Sequence, residues 1–231
     1  MATTGTFAYA PSTGEVVLTA YSRIGIRGPA LLAEHMTMAR SESNLMQMQW
    51  SNKGPNLWAV DLVTVPLLAG ISTYTVAPET IMILDAYITT LPATPNPQDR
   101  LILPISRSVY ASYPDKANLA PPTVFWFDRL IAPTITVWPT PDLSTTYTLK
   151  YYRYRQIQDA ALTSGLNLEI PALWLDAATA GLSHRLSRHF APSLEAQRKV
   201  DAMEAYQIAA DQNVENAPMT LVPMLGSYWR V

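Results

Sequence analysis

Two histidines, His184 and His189, lie among Arg185 and Arg188 in a stretch with helical spacing. Such a group could ligate a metal or hold a phosphate. The histidines are five positions apart, which puts them on different faces of a helix, so one ion cannot reach both. The arginines instead form a basic helix face that can meet acidic residues of a neighbouring subunit. Asp61, Asp85, Asp128, Asp142 and Asp159 could supply a carboxylate pair for glycoside hydrolysis. That chemistry needs two carboxyl groups roughly 5–10 Å apart across a cleft. Asp in turns accounts for most of them. Ser106, Ser108 and Ser112 sit in no nucleophile elbow, and no Gly-rich loop ending in Gly-Lys-Ser/Thr offers to hold phosphates. With 0 cysteines there is no thiol nucleophile, disulfide or zinc–cysteine site. No enzymatic activity, metal or cofactor is expected.

The elements that would position these residues fall into two kinds. Ser12 and Glu15 have capping-box spacing, and Val16, Val17, Ala20, Tyr21 and Ile24 then recur at helical spacing, with Gly25 and Gly28 as stops. Pro29 suits the first turn of a second helix, supported by Leu31, Leu32, His35, Met38, Ala39, Leu45, Met46 and Trp50. Met36, Met38, Met46 and Met48 do not share one stripe. They either face a second partner or fill irregular core gaps.

A breaker, residues 52–56, separates these helices from a β-rich middle. Residues 58–67 alternate as a strand, with 71–76 as its hairpin partner. Further strands are expected at 81–89, 101–105, 124–127, 134–138 and 146–155. Three prolines make 91–99 a loop, and Ser106 can cap a short helix. Seven short strands with turns between them predict a sandwich or barrel-like module. Pro171 then opens a third helix and Pro192 a fourth, whose polar face carries Glu195, Arg198, Lys199, Asp201, Glu204 and Asp211. The fold class expected is α+β: a bundle of about four helices, with a β module inserted between helices 2 and 3 and an extended C-terminal tail. The expected division is an arm at 1–12, helical halves at 13–53 and 161–215, the β module at 54–160 and the tail at 216–231.

The totals bear on partners. Charged residues make up 15% of the 231, against roughly a quarter in typical domains. The chain also holds 9 Met, 6 Trp and 12 Tyr. Charge depletion with aromatic and Met enrichment is the composition of interface cores. A net charge of −2 argues against a dedicated nucleic-acid binder. Met1 to Gly14 has neither the positive nor the apolar region of a signal peptide, and no run approaches the roughly 18 apolar residues of a membrane span. The stretch 219–231 is apolar yet broken by Pro and Gly. It either folds back on its own core or docks elsewhere, and exposed apolar patches usually mark interaction sites.

The segments RSVYASYPDK (107–116), PTVFWFDR (122–129), ITVWPTPD (135–142), YTLKYYR (147–153), IQD (157–159) and EIPALW (169–174) follow two N-terminal helices and lead into a helix pair. In this order they resemble the head-to-tail adaptor proteins of tailed bacteriophages, the group that includes tail tubular protein A. The resemblance covers about residues 13–212. It implies a structural virion protein at the head–tail junction, made in the host cytoplasm. Such adaptors form a ring, usually of twelve subunits, beneath the portal protein. The ring extends the DNA channel without gripping the genomic DNA and carries the next tail or nozzle protein. In relatives a C-terminal segment reaches into the portal, which here assigns that role to Leu221, Val222, Met224, Leu225, Tyr228 and Trp229. Arg185, Arg188, Glu195, Arg198 and Asp201 are the candidate subunit-interface residues. The rival from another class is a carbohydrate-binding β-sandwich of a receptor-binding protein, with Trp58, Trp126, Trp138, Tyr151 and Tyr154 as a stacking platform. A third reading, a cell-wall hydrolase, would need the paired carboxylates.

Overall fold

The Ser12 side chain accepts from the Glu15 N–H while the Glu15 carboxylate accepts from the Ser12 N–H at 2.7 Å. This reciprocal cap starts α1, Thr13–Arg23. Gly25, at φ +87°, ends it, and the Ile26 and Gly25 N–H groups turn back to Tyr21 and Ser22. The computed structural model describes residues 5–6, 9–54, 56–92, 96–162 and 166–214. Among these it shows five α-helices and seven strands.

Pro29 was expected to open the second helix. It lies instead in a 3-10 turn, Gly28–Ala30, and α2 runs Ala33–Lys53. Leu31 and Leu32 are held extended between the two, and His35 caps α2 by accepting the Leu32 N–H at 3.1 Å. After the strands come α4, Leu175–Phe190, and α5, Glu195–Asp211. Pro171 and Pro192 each lead a 3-10 turn rather than the α-helix itself. Val17, Tyr21, Met46, Trp50, Trp174, Leu182 and Leu186 form a core among α1, α2 and α4. The methionines divide as their spacing implied. Met46 is buried, Met36 and Met38 pack against that core, and Met48 is exposed.

The strands are β1 Val60–Leu67, β2 Thr73–Thr75, β3 Thr80–Thr90, β4 Gln98–Pro104, β5 Val124–Asp128, β6 Thr134–Trp138 and β7 Tyr147–Arg155. They make one mixed sheet in the order β1-β7-β3-β4-β5-β6-β2. Register shifts in β3 against β7, between Thr80 and Met82 and between Ile83 and Ala86, bend the strand and help the sheet curl. It curls around a second core that includes Val76, Ile88, Ile102, Phe125, Ile135, Val137, Leu149 and Tyr151.

Three local expectations need correction. β2 is not the hairpin partner of β1. It pairs with β6, and β1 pairs with β7 along its whole length. The turn between them is tied off locally, because the Tyr74 hydroxyl accepts from the Leu68 N–H at 2.8 Å and donates to the Ile71 carbonyl at 2.9 Å. The Pro-rich loop after β3 is shorter than expected, since β4 already pairs from Gln98. Trp58 stands in a 3-10 turn, Leu57–Ala59, ahead of its strand. β4 and β5 run parallel, which requires a long crossover. That crossover carries α3, Arg107–Ser112, capped by Ser106 as expected.

Candidate functional site

Small residues on α4 let its neighbours come close. Ala177, Ala178 and Ala180 are buried, and a Cβ on Gly181 would lie 2.6 Å from Met46 Sδ. α4 contacts α1, α2 and α5, and open grooves lie between α2 and α5 and between α1 and α5. α5 is therefore a ridge with a groove on each flank. Val200, Met203 and Ile208 on α5 are more than 60% exposed, with Met203 toward the α2 side and Ile208 toward the α1 side.

The flank between α2 and α5 is a groove of about 510 Å³. Its floor includes Met46, Trp50 and Gly181, and its rim includes Lys53, Arg188, Lys199 and Met203. No carboxylate among the described residues lines it. Lys53 Nζ sits 3.5 Å from the centre of the Tyr206 ring, and burial pulls its pKa below the ordinary lysine value. The flank between α1 and α5 is a groove of about 410 Å³, where Asp176, Asp201 and Glu204 outnumber Arg23 and Arg198.

The five candidate interface residues are distributed over these elements. Arg185 turns inward to α2, donating to Glu42 at 3.0 Å and to Gln49 at 2.8 Å. His189 reaches the same Glu42 at 3.2 Å. Burial opposes ionisation of Glu42, but hydrogen bonds and charge from Arg185 and His189 outweigh it, and the pKa falls. Arg188 and Glu195 face each other at 3.8 Å across the α4–α5 turn, where His184 also meets Glu195 at 3.0 Å. Arg198 pairs with Asp201 at 2.9 Å on the acidic flank. The two histidines thus serve separate carboxylates, and among the described residues no group of His, Asp and Glu is arranged to hold a metal. The candidate portal-binding residues Leu221, Val222, Met224, Leu225, Tyr228 and Trp229 lie outside the described residues.

A third groove, about 550 Å³, lies where β1 and β3 enter the sheet and β7 leaves it. Arg153 forks onto Asp61, with contacts of 2.7 and 3.2 Å, and reaches Glu79 at 3.0 Å. Arg155 holds Glu169 through both terminal guanidinium nitrogens and touches Asp61 through Nε at 3.3 Å. Hydrogen bonds from Arg153 hold Asp61 below its ordinary pKa, and those from Arg155 do the same for Glu169. Asp61 is thus an ionised anchor for two arginines. Asp142 closes a turn, accepting from the Ser144 N–H at 3.1 Å and the Tyr147 hydroxyl at 3.0 Å. Sequence reasoning missed Arg153, Arg155, Glu79, Glu169 and Glu42. The available signal was two arginines at alternate positions in a strand otherwise rich in aromatics.

The aromatic platform of the carbohydrate reading is not assembled. Tyr151 and Tyr154 are buried, and Trp58 packs on Trp174 at 4.7 Å. Trp126 is covered by Tyr110 and Trp138 by Tyr113. No helix among the described residues is long and apolar enough to cross a membrane. Among curated proteins none matches the chain. A family model described as SU10 adaptor protein matches residues 33–222, from the start of α2 to beyond α5. The chain belongs to that family of phage adaptors.

Proposed function

We propose, from membership of the SU10 adaptor family, that this chain is a structural virion protein forming a ring under the portal at the head–tail junction. The ring, of about twelve copies as in the adaptors it resembles, extends the channel through which genomic DNA passes during ejection. The next tail or nozzle protein attaches on its far side. The family match over residues 33–222 is the observation that carries this reading. In it, the helices of 13–53 and 161–215 act as one unit, and the sheet of 54–160 is an insert facing the tail.

The helical surface supports a lateral role. Val200, Met203 and Ile208 are exposed beside paired charges, the mixture of apolar anchors and polar rim that interfaces use. Arg188, Glu195, Arg198 and Asp201 belong to this lateral face, with Arg185 as the fixed wall behind it. A weakly acidic chain also suits a channel, since lysine and arginine contacts would bind the duplex in a salt-dependent way. The segment 219–231 reaches the portal through Leu221, Val222, Met224, Leu225, Tyr228 and Trp229. The chain carries no catalytic role.

The test is stoichiometry on a portal ring from the same phage, by native mass spectrometry. A small fixed ratio of adaptor to portal subunits is expected, and deletion of 219–231 should leave a folded protein that no longer joins. A full-length monomer that never binds the portal would sink the reading.

A further inference from the structure

Lys199 and Glu204 project from opposite flanks of the same helix. Five positions along an α-helix turn through about 140° beyond a full turn. Lys199 accordingly lines the groove toward α2 and Glu204 the groove toward α1. Both are exposed, and neither forms an ion pair among the described residues. The two flanks differ in the charge left outside ion pairs among the described residues, Lys53 and Lys199 on the first and Glu204 on the second. The first places Lys199 beside Met203 with no carboxylate lining it among the described residues, and its Arg188 already faces Glu195 at 3.8 Å. The second places Glu204 beside Ile208, while its Asp201 and Arg198 pair with each other at 2.9 Å.

We infer that the cationic flank of α5 in one copy packs against the acidic flank of α5 in the next copy, with Lys199 meeting Glu204 and Met203 meeting Ile208. This deepens the ring reading above and rests on it. The occupant follows from charge complementarity. A two-fold contact made by one flank alone would set cation against cation or carboxylate against carboxylate, which costs stability. A head-to-tail contact joins unlike flanks at every step. Such heterologous contacts close into rings when the rotation allows. The two grooves lie on opposite sides of the ridge, as a ring subunit needs for its two neighbours.

The full-length chain makes the test direct. Lys199→Glu and Glu204→Lys each turn an attraction into a repulsion, and the double variant restores it with the sign reversed. Sedimentation and native mass spectrometry, alone and with the portal ring, read the concentration of half-assembly. Each single variant should raise it about tenfold, and the double should return it to within about threefold of the parent. Circular dichroism melts check folding, with Lys199→Gln and Glu204→Gln as milder replacements if a reversal unfolds the chain. A parent ring indifferent to all three variants overturns the flank assignment and leaves the ring standing. A parent that forms no ring, alone or on the portal, removes both. A Lys199→Glu variant that loses only binding to duplex DNA would show the groove meeting phosphate, and also overturns the assignment.

Discussion

Arg155, the last residue of β7, grips Glu169 through both terminal guanidinium nitrogens, one of them at 2.9 Å. Glu169 precedes the turn that starts α4, and it also accepts the Gln158 N–H at 2.9 Å. One carboxylate therefore ties the sheet's exit strand to the approach to the helices. Both side chains are largely screened from solvent, at 17% and 26% exposure, where a forked arginine contact is strongest. Glu169→Gln keeps the shape but removes the charge and one acceptor. It should cost about 1–3 kcal/mol of unfolding free energy, measured by urea titration. A loss below a few tenths would show that the fork is incidental.

The same groups set an acid limit. Asp61, Glu169 and Glu42 all have folded-state pKa values below their ordinary ones, through Arg153 for Asp61, Arg155 for Glu169, and Arg185 with His189 against burial for Glu42. A depressed carboxylate contributes stability that is present above its unfolded pKa and lost as pH falls through the folded one. Stability should therefore hold from neutrality down to about pH 4.5 and fall below it. Urea midpoints at pH 7, 5 and 3 check this. The loss at pH 3 should shrink in Glu169→Gln, because one of the responsible groups no longer titrates.

Gly181 is set by Met46. A Cβ there would stand 2.6 Å from Met46 Sδ and 3.8 Å from Trp50. Alanine gains about 1 kcal/mol in helix propensity over glycine, but overpacking a core costs about 1–3 kcal/mol. Met46 is buried in the same core as Trp50, so shifting its Sδ aside costs packing there. Gly181→Ala should be destabilising by about 1 kcal/mol net, and Gly181→Leu by clearly more, in thermal melts. A stabilised Gly181→Ala would mean that Met46 swings freely into the groove.

Local signals in the chain were legible and distant ones were not. The Ser12–Glu15 box and the Ser106 cap are written within a few residues, because a cap and its N–H partner are neighbours in sequence. The seven strands were also visible as β-branched and aromatic runs. Their partners were not: β1 meets β7 and β2 meets β6 only through long-range pairing, and no residue in the 68–71 turn announces that it fails to close a hairpin. The candidate site divides the same way. The charged face of α5 could be read from helical spacing. The Asp61–Arg153 fork joins residues 92 positions apart, and α2's Glu42 shows no sign in sequence that it receives both Arg185 and His189.

The crossover between β4 and β5 depends on two ring stacks. Tyr113 lies flat on Trp138, with centroids 4.1 Å apart, and Tyr110 on Trp126 at 5.5 Å. Trp138 Nε1 donates to the Asp115 carbonyl at 3.0 Å, so the loop after α3 is pinned to β6 at the face and the edge of one indole. An aromatic pair adds about 0.5–1.5 kcal/mol beyond its buried area. Tyr113→Ala should therefore release residues 107–121 while the sheet core around Ile135 and Val137, both fully buried, stays closed. Hydrogen exchange should speed up across that loop and remain slow in β6. Exchange that rises equally in both would show that the crossover is part of the sheet's cooperative unit. Exchange unchanged in both would mean that the backbone contacts Thr140 N–H to Asn118 and Ala120 N–H to Thr140, at 2.9 and 3.0 Å, hold the loop without the rings. Release of the loop also uncovers one face of Trp138. Quenching of its fluorescence by iodide should increase in Tyr113→Ala and not in the parent, because the parent's tyrosine occupies the face that a bound sugar would need.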